Sequence, residues 1–199
     1  TVHWLESTGG TNRTLRVVDA ATTRLIATLR GPEAPVTFLR VDPAGRLLIA
    51  GGGGASALAS YAAALWTGRF ERDRPPLAAI ALGMQAPVSG LLAESGDPTR
   101  ALAKEVQALG TPGDVLIVLA AGRTSPSLVA AMQAAQAKDM TVVALTGNDT
   151  GVGELLGETD VHVAVPHDRA ARVFETHTLV LHCLADAVDL QLMGEQDLA

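Results

Sequence analysis

Residues 47–68 read LLIAGGGGASALASYAAALWTG: a short apolar run, four consecutive glycines, then an alanine-rich segment of helical composition. That order predicts strand, tight loop, helix. Glycines let the backbone turn sharply and bring its N–H groups close to a ligand, and a helix starting just after them points the positive end of its dipole at the same place. Anions bind at such places. The run matches neither the spaced Gly-Lys-Ser/Thr of a phosphate-binding P-loop nor a dinucleotide fingerprint followed by a ribose-binding acid. Two readings stay open from these residues: a ligand loop in an α/β fold, or a tight turn between strand and helix that binds nothing.

A chain of 199 residues is expected to form a single domain with ample core. Hydrophobic residues make up 48% but aromatics only 3%, so Ala, Leu and Val build the core, a composition suited to helices packed closely on a parallel sheet. The net charge of -6 argues against a non-specific nucleic-acid binder, which needs a basic patch to displace counterions from phosphates. Cys183 is the one cysteine, which excludes an internal disulfide and a cysteine metal cage; in its apolar helical run it reads as a buried, inert thiol. No apolar run approaches the eighteen or more residues that span a bilayer, and TVHWLESTGG carries no signal-peptide pattern, so a cytoplasmic location without membrane contact is expected.

Taken in order, residues 12–31 place Leu15, Val18, Ala21, Leu25 and Leu29 at three- and four-residue spacing before Gly31, which predicts an amphipathic helix. Residues on either side of Asp42-Pro43-Ala44-Gly45 predict a hairpin over 36–50, or at least a strand before the turn. Strands are predicted at 78–82, 115–120, 140–145 and 161–165, and helices at 99–109, 125–138 and from 168 to about 192. Asp97 or Thr99 is expected to cap the first of these helices, and Pro126 suits the first turn of the second. Strands alternating with helices imply a parallel sheet covered on both faces. Ligands collect at the carboxyl ends of such strands, where both the glycine run and the loop 120–125 fall, so the two loops are expected to share one site.

The ordered motifs GGGGAS, WTGRFERDRP with AIAL, GDVLIVLAAGRTS, MTVVALTGNDTG, ETDVHVAVPHDRAARVFETH and HCLADAVDLQLMGEQ resemble the sugar isomerase (SIS) domain family, in the branch that holds phosphoheptose isomerase and the replication-initiator-associating protein DiaA. The resemblance implies a three-layer α/β/α sandwich with a five-stranded parallel, flavodoxin-like sheet over residues 45–199, after an N-terminal helical or oligomerisation segment over 1–44. It also implies a homotetramer and sugar phosphate bound at strand ends.

The same resemblance removes the expected chemistry. Family members typically hold zinc through two histidines, a glutamate and a glutamine; the corresponding positions here are Tyr61, Leu65, Phe174 and His182, so one ligand of four remains. A leucine neither ligates metal nor carries a proton, and a lone imidazole gives no adequate zinc affinity, so no cofactor is expected. The family's hydroxyl-rich phosphate loop becomes Ala120, Ala121, Gly122, Arg123, Thr124 and Ser125, while Gly52 and Ala55 replace polar residues of the first loop. Arg123 and Ser125, with Thr124 as a helix cap, and the backbone of Gly53 and Gly54 remain as candidate anion contacts.

His177 and His182 lie about 140° apart around a helix, not the i, i+4 pair that zinc helices use, and read as packing or interface groups. Glu175, beside the lost glutamine, reads as a surface ion pair. Asp168 is expected to cap the last helix after His167, Asp114 and Asp149 to make turns, and Trp66 and Phe70 to fill a core gap or subunit boundary. Leu192 and Met193 correspond to an apolar pair with which DiaA-like relatives contact the replication initiator; closing an amphipathic stripe is the competing role. The reading that follows is a non-catalytic, tetrameric protein-binding regulator with residual sugar-phosphate binding. The alternatives are a ketose/aldose isomerase acting on sedoheptulose 7-phosphate through His182 and Glu175, or the inactive partner of an isomerase paralogue.

Overall fold

The computed structural model describes residues 45–84, 90–91, 93–94, 96–148 and 151–193, together with the backbone of three short strands nearer the N-terminus. Those three are β1 (His3–Ser7), β2 (Thr14–Asp19) and β3 (Leu25–Arg30), paired antiparallel in the order β1-β2-β3. Within the described residues, the helix expected over 12–31 is therefore corrected to the strands β2 and β3. Val17 and Val18 of β2 and Ile26 and Thr28 of β3 are β-branched, and such residues favour extended backbone over helix whatever the spacing of their apolar neighbours.

The main sheet contains β4 (Leu47–Gly51), β5 (Ala79–Ala81), β6 (Val115–Ala120), β7 (Thr141–Thr146) and β8 (Val161–Ala164). Its order is β5-β4-β6-β7-β8, and every neighbouring pair is parallel. The expected five-stranded, flavodoxin-like sheet is observed. The expected hairpin over 36–50 is not: β4 is an interior strand with β5 on one edge and β6 on the other, so neither edge is left for a preceding antiparallel partner. The arm of that hairpin before Gly45 lies outside the described residues.

Among the described residues the sheet is covered by α1 (Ala55–Thr67), α2 (Ala101–Leu109), α3 (Pro126–Gln136) and α4 (Ala170–Met193). Alternate strand residues face opposite layers. Leu47, Ile49, Ile117, Leu119 and Leu145 pack with Leu58, Ala62, Trp66, Val173 and Leu181 of α1 and α4. Leu48, Ala50, Leu116, Val118 and Ala144 pack with Val106, Leu128, Ala131 and Met132 of α2 and α3. Small alanines on the helices let both layers approach the sheet closely, which explains how a core with so few aromatics is filled.

Local details depart from expectation at the helix starts. A 3-10 turn, Pro98–Arg100, precedes α2, and Thr99 Oγ1 donates to Asp97 Oδ1 at 2.7 Å instead of either residue capping the helix. Ser125, not Thr124, caps α3, its Oγ accepting a long bond from the Leu128 N–H at 3.4 Å. Asp168 Oδ1 accepts from Asn148 Nδ2 at 3.1 Å, while His167 Nδ1 takes the Arg169 N–H at 2.9 Å at the approach to α4. Asp114 makes its turn as expected: its carboxylate accepts from the N–H of Arg46 at 2.7 Å and of Thr111 at 2.9 Å.

Between the helices of the first layer lies a buried ion pair. Arg74 binds Asp189 of α4 through Nε and donates from its other nitrogens to the carbonyls of Leu65 and Trp66, both at 2.9 Å, at the end of α1. Breaking such a pair from one side leaves an uncompensated buried charge. Arg74→Met is expected to lower the unfolding free energy by about 3–5 kcal/mol, and adding Asp189→Leu to restore part of it. Urea denaturation of the single and double variants measures both.

Candidate functional site

In an open parallel sheet the ligand crevice forms outside the carboxyl ends of the strands, where the strand order reverses. Here that point lies between β4 and β6. The Gly52 N–H donates to the Leu119 carbonyl of β6 at 3.0 Å, and a Cβ on Gly52 would lie 2.9 Å from Leu128 of α3. The glycine loop and the loop after β6 thus lie against each other. Gly51 is required by close approach, since a Cβ there would come within 2.2 Å of the Ala55 carbonyl where α1 starts. Gly53 holds φ +54, a left-handed turn that glycine adopts without strain, and Gly53 and Gly54 are exposed.

The start of α1 has Gly54 in the cap position and no side-chain cap, so its dipole end is not masked. Beside it, Arg123 is exposed, Ser125 has its hydroxyl at the start of α3, and the Thr124 Oγ1 is buried without a hydrogen-bond partner. An unpaired hydroxyl next to a helix start is a donor waiting for an acceptor. The five candidate anion contacts, Gly53, Gly54, Arg123, Thr124 and Ser125, therefore fall on the two adjoining loops.

Behind this edge sits Thr146, the last residue of β7 and fully buried. Its Oγ1 donates to the Gly147 carbonyl and, its proton so used, accepts from His162 Nε2 at 2.9 Å. Its carbonyl accepts from His177 Nε2 at 3.2 Å, which leaves the buried Nδ1 of His177 bare. Burial pushes the His177 imidazole down to about 4, with the Thr146 carbonyl bond acting weakly in the other direction, and burial also lowers His162. His177 is a neutral packing group, as its position on the helix implied.

The four positions corresponding to family metal ligands lie on α1 and α4. Tyr61 OH and His182 Nε2 are hydrogen-bonded at 2.8 Å, and Phe70 packs on the same imidazole with ring centroids 5.0 Å apart. Leu65 is buried in the core and Phe174 packs against it from the side. Two of the four positions are thus apolar and turned to packing, and the surviving imidazole nitrogen is engaged by a phenol; this donor set does not fit zinc. Glu175 pairs with Arg172 at 2.6 Å on the surface, two turns from His182, so the structure does not join Glu175 to His182 in one site. Trp66 is a core residue with no exposure, and Leu192 and Met193 at the end of α4 are 45% and 39% exposed. Asp149 lies outside the described residues.

Three features went unread in the sequence: the Arg74–Asp189 pair, the Tyr61–His182 contact, and Asp160, whose carboxylate accepts from Val142 N–H, Gly157 N–H and Gln136 Nε2. Asp189 did leave a signal, since it follows Val188 and Ala185 in the apolar stripe of α4, where a charge must find a partner. A groove of about 650 Å³ beside Gln136, Met140, Thr141, Leu155 and Gly157 lies at the amino end of β7, away from the ligand edge of the sheet.

The family model described as the SIS domain matches residues 36–147. A phosphoheptose isomerase of Methylibium petroleiphilum is 51% identical over 159 residues, covering 79% of this chain and 80% of the relative. One from Aromatoleum aromaticum is 46% identical over 154 residues, covering 77% and 78%. Among solved structures, the phosphoheptose isomerase of Francisella tularensis superposes with a TM-score of 0.68 at 31% identity over 73% of this chain and 76% of that one. That of Neisseria gonorrhoeae gives 0.67 at 37% identity over the same shares. These relatives overturn the expectation of a non-catalytic, initiator-binding regulator. The lost ligands argue against an isomerase and the retained scaffold argues for one, and the similarity favours the isomerase.

The lowered His177 titration sets an acid limit on the fold. The unfolded chain binds a proton on this imidazole near pH 6.5 and the folded chain only near 4, so the stabilising difference is present in full above 6.5 and is lost as pH falls toward 4. The loss approaches about 3 kcal/mol. Urea unfolding followed from pH 7 to 4.5 is expected to show this decline, and His177→Gln to flatten it.

Proposed function

The chain belongs to the SIS domain family, and on that footing we propose that it is a ketose/aldose isomerase acting on a phosphorylated sugar, with sedoheptulose 7-phosphate as the substrate to be tested first. The observation that carries this reading is the 51% identity with a phosphoheptose isomerase over 159 residues, 79% of this chain. The phosphate would sit at the adjoining loops, where the start of α1, the Thr124 and Ser125 hydroxyls and the Arg123 guanidinium provide donors. Anchoring the phosphate leaves the carbonyl end of the sugar to reach along the helix layer, and a fixed anchor turns proton transfer between neighbouring carbons into an intramolecular problem.

The reading includes no zinc. Leu65 and Phe174 cannot supply what the family's glutamate and glutamine supply, and the isomerisation is not routed through a metal here. It also includes a homo-oligomer, as large as a tetramer, supported by Leu190, Leu192 and Met193, which leave an apolar surface exposed at the end of α4. Leu192 and Met193 then serve as protein-binding residues toward another copy of this chain. No helix among the described residues is long and apolar enough to cross a membrane, and a cytoplasmic location is part of the same proposal.

Turnover of sedoheptulose 7-phosphate by the purified protein tests the reading. Absence of both turnover and any thermal shift with a panel of sugar phosphates would overturn it. Within it, Arg123→Ala is expected to raise KM about tenfold, the effect of losing one charge-assisted hydrogen bond, with little change in kcat. Steady-state kinetics of the variant would check this.

A further inference from the structure

Resting on the isomerase reading, we propose that Tyr61 and His182 form a metal-independent proton-transfer pair, Tyr61 acting as the acid at the sugar carbonyl and His182 as the base at the neighbouring carbon. The two side chains come from different helices, α1 and α4, yet their polar atoms meet at 2.8 Å. Phe70 covers one face of the imidazole and fixes its plane, with the rings inclined by only 31°. Tyr61 is 43% exposed, so a ligand has access to its hydroxyl. The pair stands at two of the positions where family members bind zinc, and the remaining two are closed by Leu65 and Phe174 in the packing. Tyr61 also follows Gly54 by seven residues of helix, about 10 Å along the axis, a span comparable to an extended heptose chain whose phosphate is held at the glycine loop.

The step balances without another reactant. His182 Nε2 takes the hydrogen on the carbon beside the carbonyl as a proton, the C–H electron pair becomes the double bond of an enediol, and the carbonyl π pair forms an O–H bond with the proton of Tyr61. His182 then returns its proton to the former carbonyl carbon. The Tyr61 phenolate takes the proton of the other enediol hydroxyl, which becomes the new carbonyl, and both side chains end as they began. Before substrate binds, the Tyr61 hydroxyl and Nε2 lie within hydrogen-bonding distance of each other, and the proton-transfer role requires the tautomer in which Tyr61 is the donor.

The experiment compares the wild-type protein, Tyr61→Phe and His182→Gln on sedoheptulose 7-phosphate in the presence of EDTA. It follows isomerisation together with uptake of solvent deuterium at the reacting carbons by NMR, and the thermal shift given by the same sugar phosphate. Wild-type turnover is expected to survive the chelator, and each variant to lose 10²- to 10⁴-fold in both isomerisation and exchange while keeping the thermal shift. A variant that keeps turnover within about tenfold of wild type, or wild-type turnover that EDTA abolishes and zinc restores, would overturn the pair and leave the isomerase reading standing. Wild-type protein that neither isomerises nor exchanges the sugar would overturn both.

Discussion

Arg74 is the residue on which the geometry of the first helix layer depends. Its side chain is excluded from water, and a buried guanidinium is tolerable only when its charge and its donors are all met. Here they are met from two helices at once: the carbonyls at the end of α1, which no intrahelical N–H can satisfy, and the Asp189 carboxylate of α4. A cation at a helix carboxyl end is also favoured by the dipole. The result is a rigid connection between two helices that otherwise touch mainly through small alanines and branched aliphatics. Tyr61 of α1 and His182 of α4 meet across the same two helices that this pair joins.

Much of the fold was legible because the chain repeats one simple physical pattern. Continuous apolar runs such as VLIVLA carry no polar face, so they belong in a sheet covered on both sides, and the glycines after Ala50 announce a turn at the carboxyl end of such a strand. The switch point between β4 and β6 follows from that topology. What was not legible is instructive in each case. The segment over 14–30 carries both a helical spacing and β-branched pairs, and spacing alone chose the wrong one. The turn at Asp42-Pro43 suggested a hairpin because local signals carry no information about which edges of β4 other strands already occupy.

The candidate site divides the same way. Its loops were readable, since glycine runs and helix starts are local features, although Ser125 and not Thr124 caps α3. The partner of His182 was not. Residues 61 and 182 are far apart in the chain, and no spacing rule joins a tyrosine on one helix to a histidine on another; only the packing of α1 on α4 brings them to hydrogen-bonding distance. Glu175, which sequence reasoning offered as that partner, is instead satisfied locally by Arg172 one turn away, the lower-cost arrangement for two long exposed side chains.

The lost ligands and the retained scaffold are compatible once the needs of the reaction are separated. Moving a proton between adjacent carbons requires a base at carbon, an electrophile at oxygen and a fixed substrate; a metal is one way of supplying the electrophile, and a phenolic hydroxyl is another. Replacing a histidine at position 61 by tyrosine removes a ligand but adds a proton donor at the same height on α1. Once the metal is gone, a carboxylate at position 65 would be a buried, unpaired charge, and leucine removes that penalty while filling the space with core. Phenylalanine at 174, where the family has an uncharged glutamine, packs partly buried against the same core from α4. On the proposed metal-independent reading, Leu65 and Phe174 are packing residues of the core, and Tyr61 is the group that would present an electrophile to the substrate carbonyl.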